Sequence, residues 1–420
     1  FQKRMREVAE KRIQQAAQDE EFQKLSFSDD QSTAIQLATS GYNLFLTGKA
    51  GTGKTFVLKA IIHKLRHKNV AVLGTTGIAA MNCEGVTMHS FFRVPVCEGM
   101  ITEDKVIFVN RDVRAMWNAT DVVIIDEVSM CRADQLDAIE WALMKNGCHS
   151  LTDKQVIFCG DLKQLPPVVK DGDEIEKTYE DEYFYSAEVY KELDVREVEL
   201  HHIHRQSDPI FIQHLNTLRD SGIVDPYFDQ FVVDHAVGTI VCPYKQTAVE
   251  HNRRELNKID ARRYIFRPDI EGDASIVQLG IADKIVVKHG CKIMHTVNAN
   301  GLVNGSIGIL EIEETNEAED PILYFCTGEG EEKIRRKIDR YRFERHIYEL
   351  DEMSGRLRKK LVGAVIAYPL TLAYAMTIHK SQGLTFDELT VDLTRECFIS
   401  GQMYTAMSRV RSPQGLHILV

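Results

Sequence analysis

The chain has no C-x-x-C pair. Its nine cysteines stand singly, and the two closest in sequence, Cys148 and Cys159, are eleven residues apart. That spacing argues against a zinc site, and an odd, scattered set of thiols predicts reduced cysteines and an intracellular protein. The local cluster His201, His202 and His204 reads as structural or surface groups rather than metal ligands. No apolar stretch approaches the roughly 18 residues that span a bilayer, so no membrane partner is expected. Internal repeats of solenoid length are missing as well. Net positive charge is also lacking: the balance is −11. This argues against a protein that coats nucleic acid but leaves room for a motor with a local basic groove, because groove potential matters more than the total. A first residue of Phe1 rather than Met predicts a longer parent product.

What is present describes an ordinary globular protein of 420 residues, 44% hydrophobic and 27% charged, long enough for two or three domains. One stretch breaks the acidic trend. From Lys333 to Lys360 there are eleven Lys or Arg against five Asp or Glu. A solvated face with paired charges and a nucleic-acid patch both fit it.

GKAGTGKT at Gly48–Thr55 follows the apolar run NLFLT and precedes the helical run Phe56–Leu65. This is the strand–loop–helix context that the phosphate-loop pattern requires. Gly48, Gly51 and Gly53 let backbone N–H groups face a phosphate, at a helix N-terminus that adds partial positive charge. Ala50 and Thr52 complete the cradle. Lys54 would reach the outer phosphates, and Thr55 would offer a hydroxyl to Mg²⁺. Strands are predicted at Asn43–Thr47, Val70–Thr75, Val122–Asp126 and Val156–Gly160, with helices at Asp30–Ala38, Phe56–Leu65 and Ala133–Met144. Their alternation predicts an α/β fold with a parallel sheet, whose ligands bind beyond the carboxyl ends of the strands. A second such set is predicted from strands at 239–242, 389–393 and 416–420, with helices at Lys245–Asn257 and Gly401–Ser408. Between its parts, Cys291–Glu313 carries β-rich runs and the turn NGSIG, which predicts a small antiparallel insertion; a smaller one is predicted at Val86–Ala115.

VVIIDEVSM places Asp126 and Glu127 at a strand end, where Asp126 would hold the Mg²⁺ shell and Glu127 would orient or deprotonate water. A water-activating acid favours hydrolysis over transfer to another acceptor. In IFCGDLKQLPPV, Gln164 offers an amide that can report the γ-phosphate. Arg205 and Arg409 carry permanent, fork-shaped charge suited to phosphate oxygens.

GKAGTGKT, TTGIAA, TMHSFF, IDEVSM, GDLKQLPPV, HRQ, LVNGSIG, AMTIHKSQGLTFDEL and YTAMSRVR stand in that order from about Phe27 to Val420. Together they resemble the petite-integration-frequency family of superfamily 1 DNA helicases, with Dda- and RecD-type enzymes as cousins. The combination of GDLKQLPPV, IHKSQG and TAMSR is specific to that branch. The Phe-Gly-Gly run usual between IDEVSM and GDLKQLPPV is replaced here by WALMKNGCHSLTDKQ, a departure that weakens assignment to the narrow subfamily.

The resemblance implies a helical extension at 1–26, a RecA-like domain at 27–200 with a wedge insertion near 86–115, and a second RecA-like domain at 201–420 with an SH3-like insertion near 286–366. It implies ATP and Mg²⁺ in the cleft between them. Gln31 would read adenine, Gly383 would meet the nucleotide through its backbone, and Gln164, Arg205 and Arg409 would sense and stabilise the γ-phosphate. On the DNA side, Thr75, Thr76, His89, Thr377, His379, Lys380 and Ser381 are polar or basic groups suited to a single strand, and Phe91 and Phe92 could stack on bases or lie in a core. The expected function is an ATP-dependent helicase that moves 5′ to 3′ on single-stranded DNA and opens forked or tailed duplexes, acting as a monomer. A DNA-stimulated ATPase that remodels protein–DNA complexes without separating strands is the alternative. A nucleotide switch or kinase is disfavoured, since the chain has no NKxD-type guanine loop and IHKSQG and Arg409 would go unexplained.

Overall fold

The computed structural model describes residues 25–420 apart from 98, 170–173, 316–319, 329–333, 396 and 398–400. The helix expected at 1–26 therefore falls, but for its last two residues, outside the described residues.

Six parallel strands form the first sheet: β1 (Asn43–Gly48), β2 (Val70–Gly74), β3 (Val86–Thr87), β4 (Val122–Asp126), β5 (Gln155–Cys159) and β6 (Val195–Leu200). Their order is β3-β2-β4-β5-β1-β6. The strands read as unbroken apolar runs because both faces are covered. Phe45, Leu73, Val123, Ile125 and Phe158 enter one core, while Leu44, Leu46, Val72, Ile124 and Ile157 enter the other. Helices α1 (Asp29–Thr39) and α2 (Lys54–Lys64) close the second face with Ala34, Ile35, Val57, Leu58 and Ile61. Helices α3 (Gly77–Asn82) and α4 (Met88–Phe92) follow β2 and β3. Since β3 pairs in the main sheet and α4 is buried against it, the part of 86–115 that leaves this domain begins after Phe92.

The second domain holds four parallel strands in the order Ala375–Thr377, Thr239–Cys242, Leu389–Asp392, Leu416–Leu419. Both sheets match the α/β class read from the strand–helix alternation. The insertion is antiparallel. Its main sheet has five strands, the central one Ile307–Glu313, around Ile293, Leu310, Leu323 and Phe325. Strands Arg263–Phe266 and Asp269–Gly272 precede residue 286 and already pair with strands of the insertion.

A two-stranded ribbon, Tyr341–Asp351 and Arg356–Ala367, leaves this insertion and docks on the first domain. Tyr348 enters the first domain's core, and its hydroxyl accepts the Val72 N–H at 3.1 Å. Asn69 clamps the ribbon's turn, donating to Gly355 O and accepting from the Leu357 N–H, both at 3.0 Å. The basic stretch 333–360 lies largely in this region, and most of its described charges are paired, while Arg336, Arg356 and Lys359 bond backbone carbonyls. Arg335 bonds Glu311 and Glu313, Arg340 Asp269, Arg342 Glu271, Arg345 Asp273, and Arg358 Glu349. Such exposed pairs are each worth about 0–1 kcal/mol, but they offset much of the local positive charge. Of its two readings, the paired face is the one observed.

All nine cysteines are free, seven of them buried. Among the described residues no helix is long and apolar enough to cross a membrane.

Candidate functional site

β1 ends at Gly48 and α2 starts at Lys54, so residues 49–53 turn tightly at the carboxyl edge of the sheet. Gly51 and Gly53 have φ of +83° and +86°, which a side chain would strain. Space forbids one as well: a Cβ at Gly51 would meet Arg205 Cβ at 2.6 Å. The His204 N–H donates to Gly51 O at 2.8 Å, so residues 204–205 lie directly over the loop. Lys54 Nζ donates to Gly48 O at 2.7 Å and Lys49 O at 3.1 Å, and the buried Thr52 hydroxyl donates to Lys49 O at 2.9 Å. Thr55 is exposed in the first turn of α2. Gln31, buried at the start of α1, accepts the Ser28 N–H and sets its amide nitrogen 3.3 Å from where a Gly53 Cβ would be. Gln31, expected to read adenine, is thus beside the phosphate loop.

Only β5 separates β1 from β4, so Asp126 and Glu127 share this edge. Glu127 sits at φ +54°, an uncommon left-handed conformation for a residue with a side chain. Its N–H donates to Asp126 Oδ1 at 2.9 Å. Burial pushes the Asp126 carboxyl up. Burial, and then the charge of Asp126, push Glu127 up to about 7 against the pull of Lys54 and Arg409. A carboxyl tuned there is a competent proton acceptor near neutrality. Two further bonds hold Glu127: Thr75 Oγ1 donates to its carbonyl at 3.1 Å, and Gln382 Nε2, from the second domain, donates to its Oε2 at 2.9 Å. Among the described residues no group of three or more His, Cys, Asp or Glu could hold a metal by itself. Thr55 and Asp126 supply hard oxygens that fit Mg²⁺ if substrate phosphates and water complete the shell.

The second domain closes the cleft. Tyr404 Oη accepts the Ala50 N–H at 2.9 Å, and Ala50 and Leu165 of the first domain pack into the second domain's core. Gln164 is buried, donating to Asp161 Oδ2 at 3.0 Å; Asp161 in turn pairs with Arg219 at 3.1 Å. Arg205 donates to Thr385 Oγ1 at 3.1 Å and Ser408 O at 3.2 Å, and burial together with nearby Arg409 pulls its pKa down to about 9. Arg409 is 2% exposed, with Nε on Thr405 O at 2.8 Å and Nη2 on Ser408 Oγ at 2.9 Å. Among the described residues no carboxylate pairs with it. A buried cation without an anion is costly, and a triphosphate would offset that cost.

Thr76 caps α3 by accepting the Ala79 N–H at 3.1 Å. Thr377, buried, caps the short helix Ile378–Ser381 by accepting the Lys380 N–H at 3.3 Å. Thr76, His379, Lys380, Gln382 and Glu127 line one cavity of about 230 Å³. The sites expected for DNA and for ATP chemistry thus share a wall. Thr75 stands at its root, through the bond to Glu127. Half-buried His89 lies on α4, and burial and Arg132 lower its pKa. Gly383 follows the short helix at φ +78°; a Cβ there would lie 3.7 Å from Asn82 Nδ2, with no phosphate-loop atom within 4 Å.

Three expectations are corrected. Phe91 and Phe92 are 2% and 0% exposed and cannot stack on bases as placed. They pack edge to face at 4.8 Å, Phe91 against Tyr348 and Phe92 against Trp117, whose indole N–H bonds Phe91 O. The ribbon that seals them is distant in sequence. Ser381 is fully buried, and its hydroxyl is spent on Ile378 O at 2.8 Å. Tyr404 and Gln382 went unnoticed, although both stand inside motifs already singled out, because no local signal names a partner in the other domain.

Residues 26–220 match the sequence model of the family described as PIF1-like helicase. The ATP-dependent DNA helicase Pif1 of Bdellovibrio bacteriovorus is 31% identical across 94% of this chain and 88% of its own length. The ATP-dependent DNA helicase PIF1 of Xenopus laevis is 29% identical across 94% of this chain; the chain spans 62% of that longer relative. The crystal structure of Bacteroides sp. Pif1 in complex with ADP-AlF4 superposes with a TM-score of 0.81 at 30% identity, covering 94% of this chain and 92% of that one.

Proposed function

The chain belongs to the PIF1-like helicase family, and from that membership we propose that it moves 5′ to 3′ along single-stranded DNA and opens tailed or forked duplexes, powered by Mg²⁺-ATP hydrolysis in the cleft between its RecA-like domains. The observation that carries this reading is the buried Arg409 of the second domain, in direct ion pair with no carboxylate among the described residues yet within electrostatic reach of Glu127 and Asp161 of the first. Such a site is complete only when the two domains meet.

In this mechanism Gln31 holds the adenine, and Lys54 with the loop N–H groups holds the phosphates. Thr55 and Asp126 would hold Mg²⁺, which would supply charge neutralisation of the phosphate oxygens when bound. Glu127 accepts a proton from the attacking water. Arg205 and Arg409 stabilise charge on the γ-phosphate, a contribution of about 10³–10⁵ in rate for such arginines. Hydrolysis followed by phosphate release removes the anion that offsets Arg409, which favours reopening. Thr76, His379 and Lys380, on opposite domains, then shift their grip on the strand. The working unit in this reading is a monomer. The test is unwinding of duplexes with either a 5′ or a 3′ single-stranded tail. Opening of the 5′-tailed substrate alone is expected; opening of the 3′-tailed substrate alone overturns the direction, and ATPase stimulation without opening of either supports a remodelling translocase.

A further inference from the structure

The water-activating acid is held by the DNA groove. Glu127 is bracketed by the two motifs that line that groove: Thr75 bonds its carbonyl at 3.1 Å, and Gln382 bonds its carboxylate at 2.9 Å. Gln382 directly follows Ile378–Ser381, whose His379 and Lys380 face the same 230 Å³ cavity as Glu127. The helix is only four residues long, capped by Thr377 and followed by Gly383 at φ +78°. With a glycine next to it and its side chain half-buried, Gln382 can be displaced without disturbing a core.

We propose that Gln382 is a positioning residue that restrains Glu127 until single-stranded DNA enters the groove. While its amide holds Oε2, one lone pair of that oxygen is engaged and the carboxylate is held toward the groove, so it is poorly placed to take a proton from water beside the γ-phosphate. Ile378 and Ser381 anchor the short helix in the second domain's core, so a strand that binds His379 and Lys380 moves only the half-buried Gln382 side chain beside them and takes the amide away. Glu127 then turns to the water. DNA occupancy thereby sets the ATP hydrolysis rate through one hydrogen bond between domains, with no change in the nucleotide contacts made by Lys54 or Gln31. The inference rests on the reading that single-stranded DNA occupies this groove.

The experiment is steady-state ATPase of the whole chain and of Gln382→Ala, with and without oligo(dT), together with ATP KM and oligo(dT) affinity. A hydrogen bond to an ionised carboxylate is worth about 1.5–3 kcal/mol. Its loss is therefore expected to raise the DNA-free kcat by about tenfold or more and to lower the stimulation ratio by the same factor. ATP KM should hold, and oligo(dT) affinity should tighten by up to the same factor, because the strand no longer has to break the bond; a merely structural defect would weaken both. A stimulation ratio that stays at the unsubstituted value overturns the proposal. So does a fall in the DNA-bound kcat with the DNA-free kcat unchanged, since Gln382 would then assist the active state rather than restrain it. Absence of any stimulation in the unsubstituted chain would instead remove the DNA-groove reading beneath it.

Discussion

The Tyr404 hydroxyl takes the Ala50 N–H at 2.9 Å, joining the second domain's helix Gln402–Met407 to the tip of the phosphate loop. Both residues are buried, 3% and 5% exposed, so the amide has no water to turn to. In Tyr404→Phe this donor is left unsatisfied, at a cost of about 1–3 kcal/mol. The loop loses its shape before it loses its chemistry. ATP KM is expected to rise about fivefold or more, with kcat little changed, as for loss of uniform binding. Steady-state kinetics decide, and an unchanged KM would show that the loop holds its form alone.

Arg409 has no carboxylate partner among the described residues, so its removal is expected to separate rate from stability. Arg409→Met keeps the length of the side chain and removes a buried charge that only the more distant Glu127 and Asp161 offset, and replacing buried charge by an apolar group is often neutral or stabilising. Turnover should fall by about 10³–10⁵ while Tm holds or rises and binding of a fluorescent nucleotide persists. A loss of less than tenfold in kcat would remove Arg409 from the γ-phosphate.

Glu127 near 7 has two consequences for pH. Asp126 and Asp161 raise it and Lys54 and Arg409 lower it, with burial the largest influence. Activity requires the ionised form, so kcat should climb as pH rises through about 7 and flatten above it. A carboxyl whose pKa is raised by folding binds its proton more tightly in the folded state. It therefore opposes folding once pH passes the unfolded value of about 4.3, and does so fully above about 7. Glu127→Gln should accordingly raise Tm at alkaline pH and leave it unchanged at pH values below the unfolded pKa. A Tm difference independent of pH would contradict the raised value.

Phe92→Ala distinguishes core from groove. Truncating a fully buried Phe costs about 3–5 kcal/mol, so a clear drop in Tm is expected. Folded protein at low temperature should keep its affinity for oligo(dT). A base-stacking residue would behave in the opposite way, losing about 1–3 kcal/mol of binding at constant Tm.

The sheets were legible because each strand is a short apolar run ending in polar residues or glycine, and the phosphate loop because strand, glycines and helix are contiguous. β1, predicted at Asn43–Thr47, is observed at Asn43–Gly48, and Ala133–Met144 emerges as a helix over Ala133–Lys145. What could not be read is the pairing of distant segments. Thr76 and Lys380 look alike as surface polar groups until α3 and the helix at 378–381 face each other. Phe91 and Phe92 match a stacking pair in composition, and only Tyr348, more than 250 positions away, shows that their faces are taken. Much of the excess charge of 333–360 is offset for the same reason: its partners Asp269, Glu271 and Asp273 lie on another strand.

Tyr348 also imposes an order on biosynthesis. The first domain's sheet is complete at Leu200, yet one of its core residues and the acceptor for the Val72 amide emerge from the ribosome nearly 150 residues later. At about 5–20 residues per second that interval is roughly 7–30 s. Throughout it, the nascent domain presents an open apolar face at Phe91. A chain cut after residue 200 should keep that face permanently, and bind an apolar dye that the whole chain ignores.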